Sequence, residues 1–329
     1  MIEARSWHWI AALALLLLAA VAGLVFGVTN IPVGDTLRAL AGDGDDTTVT
    51  IIRTLRGPRV ALAALVGAAL AMSGAALQGV LRNSLAEPYL LGVSGGAAVG
   101  AVLAFGMGMQ HSGSLAIPAF AGAIAAVAAA LLVARAAGRS ARGDPRTLLM
   151  AGVIIGAFAN AVIMVALANS TADTLRGSLW WMMGSVADAS WFGALWLAVY
   201  VGLAGMALLR LAPEIDVLAL GEDAAAALGS NVERATRRIF LVSALLAGAT
   251  VAAAGLVGFV GLIVPHIVRA FGARRHRPLI GGSALVGGTL VILADVVART
   301  ALPPAELPLG AVTALIGVPF FLYQLGRTR

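Results

Sequence analysis

Gly255-Leu256-Val257-Gly258-Phe259-Val260-Gly261-Leu262-Ile263-Val264-Pro265-His266-Ile267-Val268-Arg269 is the stretch whose reading decides the fold. It is apolar enough to enter a bilayer, yet glycine recurs at every third position and a Pro-His pair stands before the closing arginine. A soluble core strand has no need of that glycine spacing, and a plain membrane anchor would not break at Pro265. In lipid, small residues let neighbouring backbones approach closely. Interrupted backbone at membrane depth survives only where protein satisfies it. The stretch therefore belongs inside a packed bundle of membrane helices.

The rest of the chain has the composition of such a bundle. Of 329 residues, 60% are hydrophobic and 12% charged, against roughly 45–50% and about 25% in an average soluble chain. At about 20 apolar residues per crossing, there is room for around ten. Breaks at charge, Pro and Gly clusters place ten spans near 9–28, 59–81, 90–108, 115–134, 147–168, 190–209, 238–254, 256–270, 279–299 and 308–325. The seventh and eighth meet at Gly255 with almost no loop, and a nine-span count would put the termini on opposite sides. The first apolar stretch, Trp9 to Val28, exceeds the 7–15 residues of a secretory h-region and reads as a retained span with Trp7 and Trp9 at the interface.

Charge supports the count. There is no lysine, so the 22 basic residues are all arginine and the net charge is +6. With the N-terminus inside, Arg38, Arg53, Arg56, Arg59, Arg176 and Arg299 lie outside and the other sixteen, from Arg5 to Arg329, lie on the cytoplasmic side. That bias is the positive-inside pattern; it reads as orientation, with both termini cytoplasmic, and not as a nucleic-acid surface. Without lysine no G-x-x-x-x-G-K-[ST] phosphate loop is possible, so the chain cannot hydrolyse ATP that way. Without cysteine there is no disulfide, zinc–thiolate or iron–sulfur site. His8, His111, His266 and His276 form no H-E-x-x-H pair. Composition argues against catalysis and against a metal or cofactor held by this chain.

An internal echo is visible: Gly67-Ala68-Ala69-Leu70-Ala71-Met72-Ser73-Gly74 matches Gly248-Ala249-Thr250-Val251-Ala252-Ala253-Ala254-Gly255 in both glycines and two alanines. Gly92-Val93-Ser94 recurs as Gly281-Gly282-Ser283 at a similar separation. Spans two and seven cross in opposite senses, so the repeat would be inverted, a transporter signature.

Several motifs carry candidate chemistry. Gly92, Gly96 and Gly100 place glycine on one helix face, a packing stripe. Gly92-Val93-Ser94-Gly95-Gly96 also fits a G-x-S-x-G nucleophile, with His266 as its only candidate base, but that motif needs a strand–turn–helix setting. Arg82-Asn83-Ser84-Leu85-Ala86-Glu87-Pro88 is a tight cytoplasmic turn before a helix begun by Pro88, and Asn83 and Leu85 could project from it into a constriction. The longest cytoplasmic segment, 211–238, predicts a knob of two short capped helices. Gly221-Glu222-Asp223 puts carboxylates in a first turn, Gly229 ends that helix, and Ser230-Asn231-Val232-Glu233 supplies a capping box for the next. On the outer side, Arg53, Arg56, Arg59 and Arg299 cluster, with Asp295 paired to Arg299 at helical spacing. Trp180, Trp181 and Trp191 read as an outer aromatic belt, while Met107, Met109 and His111 invite comparison with a haem-handling loop.

Taken together, these residues resemble the FecCD family, permease subunits of type II ATP-binding-cassette importers for iron chelates, haem and vitamin B12. The carriers are Arg56-Gly57-Pro58-Arg59, Gly74 to Gln78, Arg82 to Gly96, Leu220 to Gly229, Gly255 to Arg269 and Asp295 to Pro319 with Glu306-Leu307-Pro308. Ser84 departs, since the family usually has proline there. The resemblance implies an all-α polytopic membrane protein with ten transmembrane helices, the type II ABC importer permease fold, and one domain over 1–329. It implies a homodimer in the bacterial inner membrane, with the pathway on its axis lined by spans five and ten. Two ATPase subunits carrying ATP and Mg would attach inside, and a periplasmic binding protein outside. By position, Asn83, Leu85, Arg146 and Thr147 resemble the cytoplasmic gate. Gly221, Glu222, Ala225, Leu228 and Gly229 resemble the ATPase-coupling helices, and Arg56, Arg59 and Arg299 the residues that dock the binding protein. Haem is the first expectation for the cargo, with ferric siderophore and vitamin B12 as alternatives. An ion-coupled secondary transporter would need buried acidic residues, of which only Asp295 qualifies.

Overall fold

Long uncharged runs of alanine, leucine and glycine fold as helices throughout the computed structural model, which describes residues 6–109, 112–137 and 145–327. His111, and Arg5, Arg139, Arg142 and Arg329 of the charge argument, lie outside the described residues. In chain order the helices are α1 (Ser6–Val25), α2 (Val33–Ala41), α3 (Asp46–Thr50), α4 (Gly57–Val80), α5 (Val93–Gly106), α6 (Ser112–Ala136) and α7 (Pro145–Ala168). There follow α8 (Ala172–Met182), α9 (Trp191–Leu218), α10 (Glu222–Ala227), α11 (Val232–Ala254), α12 (Val260–Ala270), α13 (His276–Thr300) and α14 (Leu309–Arg327). A π turn, Ile51–Arg56, joins α3 to α4, and a 3-10 turn, Pro88–Leu91, precedes α5.

Each expected span coincides with a helix, but the lengths differ. Among the described residues seven helical stretches are long and apolar enough to cross a membrane, while α5, α12 and the apolar part of α14 are shorter. The 11 residues of α12 reach about 16 Å at 1.5 Å per residue, half of a hydrocarbon core about 30 Å thick. Polar stretches also fold where no helix was expected. Asp45 caps α3 by accepting from the Thr48 N–H, and Thr171 caps α8 by accepting from that of Thr174.

The segment expected on the cytoplasmic side is corrected as well. α9 runs through Pro213 to Leu218, because Ala212, Ile215 and Leu218 are buried on its inner face. α11 begins at Val232. The expected knob of two short helices over 211–238 is therefore α10 alone, held between the ends of two long helices.

α4 is the axis of the bundle, buried along nearly its whole length and packed against α9, α11, α12 and α13. Glycine makes those contacts possible. A methyl group on Gly67 would collide with the Gly287 carbonyl of α13, and one on Gly74 with the Gly261 carbonyl of α12. The expected glycine stripe of α5 divides between two neighbours: Gly96 and Gly100 lie against Gly122 and the Pro118 carbonyl of α6, whereas Gly92, at φ 76°, turns the chain beside Gly152 of α7. Gly258, expected in the packing surface of span eight, makes no tight contact there.

These contacts predict opposite outcomes for two glycines. Gly67→Val should destabilise by about 1–3 kcal/mol or more, read as a lowered unfolding temperature in detergent. Gly202→Ala, on a helix face with open space around it, should gain about 0.5–1 kcal/mol. Equal shifts would refute the backbone contact.

Candidate functional site

The break between α11 and α12 creates a demand for hydrogen-bond partners inside the bundle. Gly255 (φ 68°) and Phe259 (φ 66°) turn the chain through left-handed conformations, so the interruption lies here and not at Pro265, which is embedded in α12. The Val257 N–H donates to the Tyr89 hydroxyl at 2.9 Å, and the Phe259 N–H to Glu87 Oε1 at 2.6 Å. Pro265 has no N–H, so the Gly261 carbonyl one turn earlier lacks its helical donor. Gln78 of α4 supplies it. Its Nε2 lies 3.2 Å from the carbonyls of both Gly261 and Leu262 and 3.4 Å from that of Ala86. Its Oε1 accepts from Arg269 Nη1 at 2.6 Å. Gln78 is buried and joins α4, the 82–87 turn and both ends of α12. Burial pushes the Glu87 carboxyl above the usual range, and the bond from Phe259 opposes that shift.

The adjoining turn is built on Asn83. Its Oδ1 accepts from the Leu85 N–H at 2.9 Å, and its carbonyl from the Ala86 N–H at 3.1 Å. Leu85 is exposed and Asn83 half-buried. Arg82 reaches Glu222 of α10 at 4.0 Å, with both side chains partly in solvent. Such a pair contributes little energy, but it sets α10 beside the turn. Gly221 (φ 114°) precedes α10, Glu222 and Asp223 occupy its first turn, and Gly229 (φ 81°) ends it, as expected. Ala225 is buried while Leu228 is exposed. Asn231, rather than Ser230, caps α11 by accepting from the Arg234 N–H at 3.0 Å. Arg146 and Thr147 stand in the first turn of α7, ahead of Gly152, which packs on Leu90 and Leu91. Asp216, near the end of α9, accepts from the His276 N–H at 2.9 Å and lies 2.7 Å from its Nδ1, closing the start of α13.

The arginines expected on the outer side lie largely inside the protein. Arg56 and Arg299 are buried, and Arg59 retains 11% of its side-chain exposure. Arg59 forms a two-pronged pair with Asp295 (2.8–3.1 Å) and a second with Glu306 (2.8 and 3.0 Å). Arg299 lies 3.5 Å from Asp295, the expected helical pair, and donates to the Gly23 carbonyl at 2.6 Å. Arg56 donates to the carbonyls of Leu24, Val25 and Thr29. These guanidinium groups tie the end of α1 to α4 and α13 from within. The carbonyls of a helix end and two carboxylates take hydrogen bonds from all three, while the Arg299 Nε alone stays buried without one.

Other expectations resolve more simply. Ser94 sits in the first turn of α5, while the His266 Nδ1 is occupied by the Leu262 carbonyl at 2.9 Å and its ring packs edge-on to Phe321. No strand–turn–helix nucleophile setting is formed. Trp180 and Trp191 are exposed, but Trp181 packs inward against Phe105 and neighbouring apolar residues. Met107 and Met109 are exposed. Among the described residues no group of three or more His, Cys, Asp or Glu is placed to hold a metal ion.

The FecCD transport family profile matches residues 15–327. The chain belongs to the FecCD transport family. It is 37% identical to the uncharacterized ABC transporter permease protein YvrB of Bacillus subtilis, over 98% of this chain and 94% of that one. It is 38% identical to the vitamin B12 import system permease protein BtuC of Citrobacter koseri, over 99% and 96%. A metal-chelate type ABC transporter in an inward-facing conformation superposes with a TM-score of 0.85 at 30% identity, covering 97% of this chain and 98% of that one. This FecCD protein is thus an ABC transporter permease, a multi-pass all-helical membrane protein.

Reading the chain from its sequence missed Gln78, Glu87, Tyr89, Arg269 and Glu306 as partners. A lone amide in the apolar run of α4 was the available signal, but its demand comes from Pro265, far along the chain.

Gln78→Leu in this permease should cost about 1–3 kcal/mol for each buried group left unpaired, seen as a lower unfolding temperature. Adding Pro265→Ala restores an N–H for Gly261 and should recover more stability in Gln78→Leu than it adds to the wild type; equal effects would refute the pairing. Arg59→Met should cost about 3–5 kcal/mol by leaving buried Asp295 with only its longer contact to Arg299, with part regained in Arg59→Met/Asp295→Asn. A fully stable Arg59→Met protein would contradict the internal role.

Proposed function

We propose that this permease forms the translocation pathway of an ATP-driven importer for a metal chelate of the vitamin B12 class. The observation that carries the proposal is the end-to-end correspondence with a permease named for vitamin B12 import. A second relative, from Halobacterium salinarum, is named for cobalamin import and is 41% identical over 85% of this chain. Haem, the first expectation from the sequence, and ferric siderophores are the competing cargoes.

The working assembly is a homodimer in the bacterial inner membrane with both termini cytoplasmic. Each chain forms one transmembrane domain over 1–329 with ten crossings, the short α5, α12 and α14 completing theirs with neighbouring non-helical backbone, and with an inverted repeat. Two ATPase subunits bind ATP and Mg and hydrolyse the nucleotide; this chain holds no cofactor. The periplasmic binding protein docks on the outer face, which Arg56, Arg59 and Arg299 brace from beneath. Exposed apolar side chains of α7 (Met150, Phe158, Met164) and α14 (Leu315, Leu322) suit a pathway along the dimer axis.

Gly221, Glu222, Ala225, Leu228 and Gly229 seat α10 in the ATPase subunit. Nucleotide-driven closure there moves α10, and Arg82 beside Glu222 passes the displacement to the 82–87 turn. Gln78, Glu87 and Tyr89 fasten that turn to the start of α12, so turn and helix move together. Asn83 and Leu85, with Arg146 and Thr147, then open or close the inner mouth. The nucleotide subunits supply the differential contacts that any such shift requires.

The test uses proteoliposomes containing the permease with its ATPase subunits, and cobalamin, haem or a ferric siderophore loaded on the cognate binding protein. Cobalamin should stimulate ATP hydrolysis and enter the vesicles. Greater stimulation by haem or siderophore would overturn the cargo, and uptake on an ion gradient without ATPase subunits would overturn the importer. Gly229→Pro, whose φ near −65° cannot match 81°, should leave hydrolysis running with transport lost. An unchanged ratio of uptake to hydrolysis would remove α10 from the coupling role.

A further inference from the structure

We propose that α2 is an interfacial helix, lying in the outer surface of the bilayer with one face in the headgroup–acyl boundary. Its nine residues divide into three sectors. Thr36 and Ala39 are buried, and Ala39 packs in a small cluster with Ile31 and Ile52. Val33, Leu37 and Leu40, at i, i+4 and i+7 spacing, share a second face and are 50%, 58% and 41% exposed. Asp35 and Arg38 pair at 3.7 Å on the third sector, away from the leucines, with both side chains in solvent. A helix that buries its core face, exposes an apolar face and sets its charges opposite has the form of an interfacial element.

Two observations name lipid as the occupant of the apolar face. The first is continuity. α1, which leads into α2, is the least enclosed of the long apolar helices, and Leu13, Leu17, Leu18, Val21 and Phe26 lie exposed along and just beyond it. The second is depth. Arg53 donates from Nη2 and Nε to the Leu40 carbonyl at 2.8 and 3.2 Å, and its own carbonyl accepts the Trp191 indole N–H at 2.7 Å. Trp191 and Phe192 are exposed at the start of the bilayer-long α9, the level at which amphipathic aromatic rings collect. Arg53 therefore pins α2 to the depth of an interfacial tryptophan.

The absence of cysteine makes the test clean. Single cysteines at 33, 35, 37, 38 and 40 would be nitroxide-labelled in the full permease and reconstituted in phosphatidylethanolamine–phosphatidylglycerol vesicles. Collision with oxygen should exceed collision with a water-soluble nickel chelate several-fold at 33, 37 and 40, and the preference should reverse at 35 and 38. Leu37→Glu/Leu40→Glu, both at exposed positions, should turn the label at 33 towards nickel while the ATPase subunits still co-purify. Nickel access at all five sites would overturn the proposal. So would labels at 37 and 40 closed to both reagents, which indicates a second copy, or closed only on adding the binding protein.

Discussion

Every backbone polar group at membrane depth needs a partner from the protein itself, and the passage from α11 to α12 is where this permease meets that constraint most sharply. Five consecutive residues, Gly255 to Phe259, stand outside helices, and a proline follows inside α12. The N–H groups of Val257 and Phe259 are met by Tyr89 and Glu87, and the carbonyl orphaned by Pro265 by Gln78. All three partners come from α4 or the connector after it. The interruption is therefore tied to the arrangement of α4, α12 and the connector after α4, which links this end of the bundle into one piece.

The same requirement explains the opposite end of α4. α1 finishes with unpaired carbonyls, and Arg56 and Arg299 reach inward to satisfy those of Gly23, Leu24 and Val25. Arg59 balances Asp295 and Glu306 in the same cluster. Buried arginines cost desolvation unless each is paired, and here backbone and carboxylates occupy them. Between the two polar ends, α4 is held by glycine contacts in which backbones touch. Those contacts leave no room for a side chain between the touching backbones.

How far the site was legible depends on whether its signal is local. Apolar runs marked the helix in each expected span, because crossing a bilayer needs nothing outside the run. Gly221, Gly229 and the carboxylates of Glu222 and Asp223 marked α10, because caps and first turns are decided within a few residues. The asparagine turn at 83–86 was likewise local. By contrast, Arg56, Arg59 and Arg299 looked like surface groups, since arginine beside a helix end is ordinarily solvated. Only the fold brings Asp295, Glu306 and the last carbonyls of α1 to them. The extent of α9 and α11 was misjudged for a similar reason: burial of Ala212, Ile215 and Leu218 against the bundle extends α9 past Pro213.

The sequence by itself determined the membrane solvent, the helical class, the positions of the apolar elements and the family. Each of these follows from composition, run length and ordered motifs that need no long-range contact. A boundary at Gly255 was readable from the sequence, but the tertiary structure alone decided that open backbone extends to Phe259 and that Pro265 lies within α12. It also decided that Gln78 is the amide answering that proline, and that the outer arginines face inward. These are pairings between groups up to 276 positions apart in sequence. In a low-dielectric interior an unpaired polar group is costly enough that such pairings, and no local preference, fix where each one points.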